Sequence, residues 1–173
     1  QESDLLNTLN DCTRYYYFPC FTDALGAVYK RGLQEKKEFV LIESRAYMDV
    51  TTQYFDKGKI QETLDIATAA FKVAPTGWRF KYLMIRALEK LGRNAFDKKD
   101  LKKAEEYAMT ILQMEYRPEG ANLLADIYIA KINADLKQDD SVSARNDLKY
   151  ALEIEASQDR KDTLAALKGK LGL

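Results

Sequence analysis

The chain contains no histidine. The commonest general base and the commonest metal ligand are therefore both missing, and the expectation is a non-catalytic protein with no metal and no other cofactor. Cysteine is nearly absent too. Cys12 and Cys20 are the whole supply, and two thiolates without histidine leave the usual four-ligand zinc set incomplete. Neither sign of charge is in excess, with 27 lysines and arginines against 27 aspartates and glutamates. That balance removes the large positive field on which generic binding to nucleic acid or to an anionic membrane depends. No apolar run approaches the about 18 residues that cross a bilayer, so no transmembrane segment is expected, and no charged-then-apolar targeting segment opens the chain. The glycine-rich phosphate loop and the Gly-x-Ser-x-Gly elbow are missing as well. The first residue is Gln1 rather than methionine, a start expected of a mature form after signal removal or of an engineered boundary; the sequence leaves both open.

What is present is helical spacing. At 173 residues one domain is expected, and folding at this size buries roughly 70% of the unfolded chain's surface. A first helix is predicted from Ser3 to Tyr17, ended by Pro19, and a second from Thr22 or Asp23 to Leu33. A long helix follows over Lys36 to Asp56, with Gly58 placed for a left-handed turn, and a fourth runs from Ile60 to Val73. The fifth is predicted from Thr76 or Gly77 to Phe96. The sixth carries Leu101, Ala104, Ala108 and Ile111. After Pro118, Leu123, Leu124, Ile127, Tyr128 and Ile132 form an apolar stripe, and Asp140 or Ser141 caps a helix holding Ala144, Leu148 and Ala151. The last helix, Gln158 to Leu171, is apolar on one side only, through Leu164, Leu167 and Leu171. The mixed charges from Lys98 to Glu106 read as a solvated surface.

Some of this spacing repeats. Tyr47, Val50, Tyr54, Gly58, Ala67, Ala70 and Pro75 fall where a helix-turn-helix repeat needs them, and part of the set returns as Leu88, Leu91, Gly92, Ala104, Ala108 and Ile111. A period of about 34 residues is that of stacked helix pairs. On these residues, positions 44–156 resemble the tetratricopeptide repeat. The resemblance implies an all-α, right-handed α-solenoid of stacked helical hairpins over residues 1–173. Its parts would be an N-terminal hairpin or divergent repeat (1–43), two clear repeats (44–77 and 78–118), a divergent repeat (119–157) and a C-terminal capping helix (158–173). There are departures. Tyr47 stands in the tryptophan slot, and Thr51 and Thr63 replace small residues where paired helices touch, so that pair is expected to sit slightly farther apart.

The same resemblance implies a protein-protein interaction scaffold or assembly factor of the cell envelope, holding a protein or peptide partner in a concave groove. The family's groove positions fall on Arg45, Met48, Thr52, Phe55 and Asp56, and on Arg86, Glu89, Arg93, Phe96 and Asp97. Arginines beside phenylalanines suit an acidic segment with an apolar anchor, because the guanidinium fork binds carboxylate at two points. Glu89 and Arg93, four apart, equally suit a surface pair, which leaves Arg45, Arg86 and Phe55 as the better anchors. Family members that clamp the carboxyl terminus of cytosolic chaperones use lysine and asparagine where this chain has Met48 and Thr52, so that clamp is broken here. The alternative is a small-ligand-binding helical domain with an apolar pocket lined by Phe55, Phe96 and tyrosines.

Cys12 and Cys20 lie close enough in sequence to close a disulfide loop, contributing about 2 kcal/mol. Equally, both can be small buried hydrophobes. A bridge would fit a periplasmic or secreted protein, and free thiols a cytoplasmic one. Between them runs Tyr15-Tyr16-Tyr17-Phe18, four aromatics that cannot all face inward on a helix. At least one is expected at the surface or under a neighbouring element.

Overall fold

The computed structural model describes residues 1–114 and 118–173; residues 115–117, which fall in the second predicted repeat, lie outside them. Among the described residues the chain is all-helical. It divides into two units, Gln1–Ala87 and Leu88–Leu173, and the division falls within one helix.

The first unit holds α1 (Glu2–Arg14), α2 (Phe18–Lys30), α3 (Lys37–Val50), α4 (Ile60–Val73) and the start of α5 (Trp78–Asp97). α3 continues into a π-helical turn, Thr51–Phe55. α1 packs against α2 and α3, and α2 packs against α4. Hairpin thus lies against hairpin, first helix on first and second on second. The reason is visible in the burial: Leu9 on α1, Phe21, Leu25 and Val28 on α2, Phe39, Ile42, Ala46 and Val50 on α3, and Ala67 and Ala70 on α4 are all removed from water, each set at helical spacing. Phe21 meets Phe80 of α5 with ring centroids 5.8 Å apart, and Phe18 meets Tyr54 edge-on at 5.6 Å.

The second unit holds the rest of α5 with α6 (Leu101–Met114), α7 (Pro118–Lys137), α8 (Ser141–Leu152) and α9 (Gln158–Lys170). α7 is its hub, packing against α6, α8 and α9. Ile132, Ala144, Leu148, Ala151, Leu164 and Leu167 form one apolar cluster, and Ala95, Ala104, Ala108, Leu123, Leu124 and Ile127 another. Asp140 caps α8 by accepting from the amide of Ser143 at 3.0 Å and from its hydroxyl at 2.7 Å.

Three sequence expectations change. Pro19 does not end the first helix; it stands in the first turn of α2, where its fixed φ and missing N–H suit a helix start. α1 stops earlier, at Arg14, because Tyr16 takes a left-handed φ of 54° and the amides of Tyr16 and Tyr17 donate back to the carbonyls of Thr13 and Cys12 at 3.1 and 2.9 Å. The long third helix is α-helical only to Val50. The hydroxyls of Thr51 and Thr52 donate to the carbonyls of Tyr47 and Met48 at 2.8 and 3.0 Å, competing for acceptors within the helix. From there the amide of Asp56 reaches the carbonyl of Thr51, five residues back, at 2.9 Å. Gly58 does adopt the left-handed backbone expected of it, with φ 78°.

Candidate functional site

Two faces of the first unit carry chemistry. On the first, Arg45 and Met48 stand exposed on α3, Met48 with 53% of its surface in water. Thr52 and Phe55 follow in the π-helical turn. The guanidinium of Arg86, on α5, lies 4.4 Å from the centroid of Phe55 and 5.9 Å from that of Tyr82. Cation and ring attract through the ring quadrupole. Thr52 is exposed, but its hydroxyl is turned back onto the helix. Asp49, held above the ordinary carboxylate range by burial and drawn back down by Arg45, partly offsets the charge of Arg45. Arg45 and Met48 are exposed on α3, and Phe55 and Arg86, both partly exposed, are in contact.

The second unit treats its two predicted residues differently. Arg93 bonds the carboxylate of Asp126 at 2.5 Å, and Arg160 grips the same carboxylate through Nε at 2.8 Å and Nη2 at 2.9 Å. One aspartate on α7 thus ties α5 to α9. Phe96 packs against the cluster of Ala104, Ala108 and Leu123, with the Lys99 ammonium 5.9 Å from its ring. Both side chains are committed to holding this unit together. The sequence suggested Glu89 as a surface partner of Arg93; the structure gives Arg93 a partner from another helix, Asp126, 33 residues away.

The other face of the first unit was not foreseen. Glu43 is buried, its Oε2 accepting from the Tyr29 hydroxyl at 3.2 Å and its Oε1 3.9 Å from the Arg79 guanidinium without a hydrogen bond. Burial pushes the Glu43 carboxyl above its ordinary range, against the pull of Arg79. Burial and the adjacent carboxylate push the Tyr29 phenol up to about 12. Gly77 lines this place: a Cβ there would stand 2.7 Å from the Tyr29 hydroxyl.

Comparison with family models, with curated proteins and with solved structures returned no match. The site must therefore be read from its own residues. In the second unit the parallel to Glu43 is Glu105, which accepts from the Tyr128 hydroxyl at 3.1 Å and from Lys131 at 2.6 Å. Burial, with Glu105 second, pushes Tyr128 up to about 12. Glu43 was detectable in sequence, since it sits among Phe39, Ile42, Ala46 and Val50 on the inward stripe of α3. Its partners were not, because Tyr29 and Arg79 come from other helices.

Cys12 and Cys20 lie at disulfide distance, with Cα atoms 5.7 Å apart. Among the described residues no helix is long and apolar enough to cross a membrane.

Proposed function

We propose that this chain is a non-catalytic protein-binding scaffold or assembly factor of tetratricopeptide-repeat type, its hairpins stacked as a right-handed solenoid, working outside the cytoplasm. Its partner is an acidic segment with an apolar side chain, held against Arg45, Met48, Phe55 and Arg86. The observation that carries this reading is the π-helical turn. Such turns are uncommon and concentrate at functional sites, and this one holds Phe55 under the Arg86 guanidinium at 4.4 Å. A guanidinium fixed on a ring face keeps its edge N–H groups for a carboxylate. The stacking of α1 on α3 and of α2 on α4 supports the repeat assignment, and the Cys12–Cys20 distance supports the location.

The test is site-specific photocrosslinking with a probe at Met48 and a control probe at Val142, an exposed position on α8. The expected result is a discrete adduct from Met48, absent from Val142 and lost in the Arg45→Glu/Arg86→Glu variant. The same adducts from both positions, or an adduct that survives the charge reversal, would overturn the reading.

A further inference from the structure

The turn between α1 and α2 forms a cleft of about 480 Å³ lined by Thr8, Asp11, Cys12, Tyr15, Tyr17 and Cys20. Thr8 and Asp11 stand one turn apart on α1, Tyr15 is the residue that caps its C-terminus, Tyr17 caps the N-terminus of α2, and Cys12 and Cys20 complete the lining. Tyr15 is 73% exposed and Tyr17 61%, so neither ring is used by the core. Phe18, the fourth aromatic of the run, is the one that goes inward. Two rings at the surface are held at a fixed spacing by Tyr16, whose left-handed backbone is costly for a bulky residue and tends to persist where function requires it.

We propose that this cleft binds an organic ammonium group. Two features of one sign line it. The ring faces of Tyr15 and Tyr17 carry negative quadrupole density. Asp11, with its carboxylate, is one of the lining residues. Among the described residues the cation–aromatic pairs use other rings, those of Tyr54, Trp78, Phe55, Tyr82, Phe96 and Tyr128. Arg14, the basic residue of the last turn of α1, is not part of the lining. An aromatic pair with one carboxylate is the arrangement that recognises substituted ammonium ions, whose diffuse charge is poorly hydrated and leaves water at little loss. The ammonium group has two sources, a small quaternary amine or a lysine side chain of a partner protein.

The experiment is an NMR titration of the full chain at fixed ionic strength, following the tyrosine ring signals, with choline, with its neutral isostere 3,3-dimethylbutan-1-ol, and with the tripeptide Gly-Lys-Gly. Saturable shifts of Tyr15 and Tyr17 with the cations but not with the isostere are expected. Tyr15→Leu or Tyr17→Leu should weaken binding about fivefold or more, and Asp11→Asn about threefold. Tyr150→Leu, at an exposed tyrosine on α8, should leave binding unchanged. Tighter binding of choline assigns the small-molecule source, and tighter binding of the peptide assigns the lysine source. Equal shifts from the neutral isostere, no saturable shift from either cation, or full affinity in Tyr17→Leu would overturn the proposal.

Discussion

Glu43 occupies a place where the neighbouring turns of α3 put aliphatic and aromatic side chains. Buried polar groups are tolerated when they are bonded, and the other two buried polar residues among the described ones obey this locally: Thr13 donates to the carbonyl of Leu9 and Thr63 to that of Lys59, each at 2.8 Å. Glu43 has only half of its carboxylate satisfied. Its consequence is a pH dependence of stability. With the folded-state pKa raised above the ordinary value of 4.5, the folded chain holds the proton more tightly than the unfolded chain. The stabilising contribution is full below about 4.5 and is lost as pH rises through the raised value. Glu43→Gln keeps an acceptor for Tyr29 and removes the titration. The melting temperature of the parent should therefore fall relative to Glu43→Gln between pH 4 and pH 7, and parallel profiles would count against a protonated Glu43. A lone glutamate on an apolar stripe could be read from the sequence; its proton affinity could not, since that is set by Tyr29 and Arg79 from elsewhere in the chain.

At the scale of elements, two glycines show two different requirements. Gly58 needs its backbone, with φ 78° and open space around a notional Cβ. Gly92 needs its volume: a Cβ there would stand 2.5 Å from Leu123 Cδ2 and 3.2 Å from Tyr107 Cβ, so it lets α5 approach both α7 and α6. Leu123 is wholly buried. Gly92→Ala should destabilise the chain by about 1–3 kcal/mol, the usual range for overpacking a filled core, measured by chemical denaturation; a neutral or stabilising effect would show that the helices can part. Gly92 was legible as the small residue of a repeated pattern. The helices themselves were legible wherever the 3.6-residue period ran unbroken, as in α4 and α6. The misplaced ends belong to competing local bonds: the back-donating hydroxyls of Thr51 and Thr52 opened α3 into a π-turn, and left-handed Tyr16 closed α1 one turn early. Lys99 and Asp139 likewise take φ of 66° and 58°, doing in turns without glycine what Gly58 does by composition.

For the whole molecule, the division inside α5 was not legible, because the apolar stripe of that helix continues across Ala87 and Leu88. Nor was the pairing of Arg93 and Arg160 on Asp126, since neither partner is within a helical turn of it in sequence. Repeat spacing singled out Arg45, Met48, Phe55 and Arg86, but it could not show that Arg93 bonds Asp126, 33 residues away. Each unit has nonetheless built the same device, a tyrosine hydroxyl donating to a half-buried or buried glutamate: Tyr29 to Glu43 and Tyr128 to Glu105. Both phenols are pushed up to about 12 by burial first and the neighbouring carboxylate second, from about 10 in the unfolded chain. For a group whose folded-state pKa is raised, the stabilising contribution is complete below the unfolded value and disappears as pH climbs through the folded one. Stability should accordingly fall between pH 10 and pH 12. The two pairs share no residue, so their effects should add. Tyr29→Phe and Tyr128→Phe should each flatten part of the fall, and the double variant should flatten the sum of both. A double variant whose denaturation profile from pH 9 to pH 12 matches the parent would place the alkaline transition on other groups, lysines first, and remove both phenols from the account.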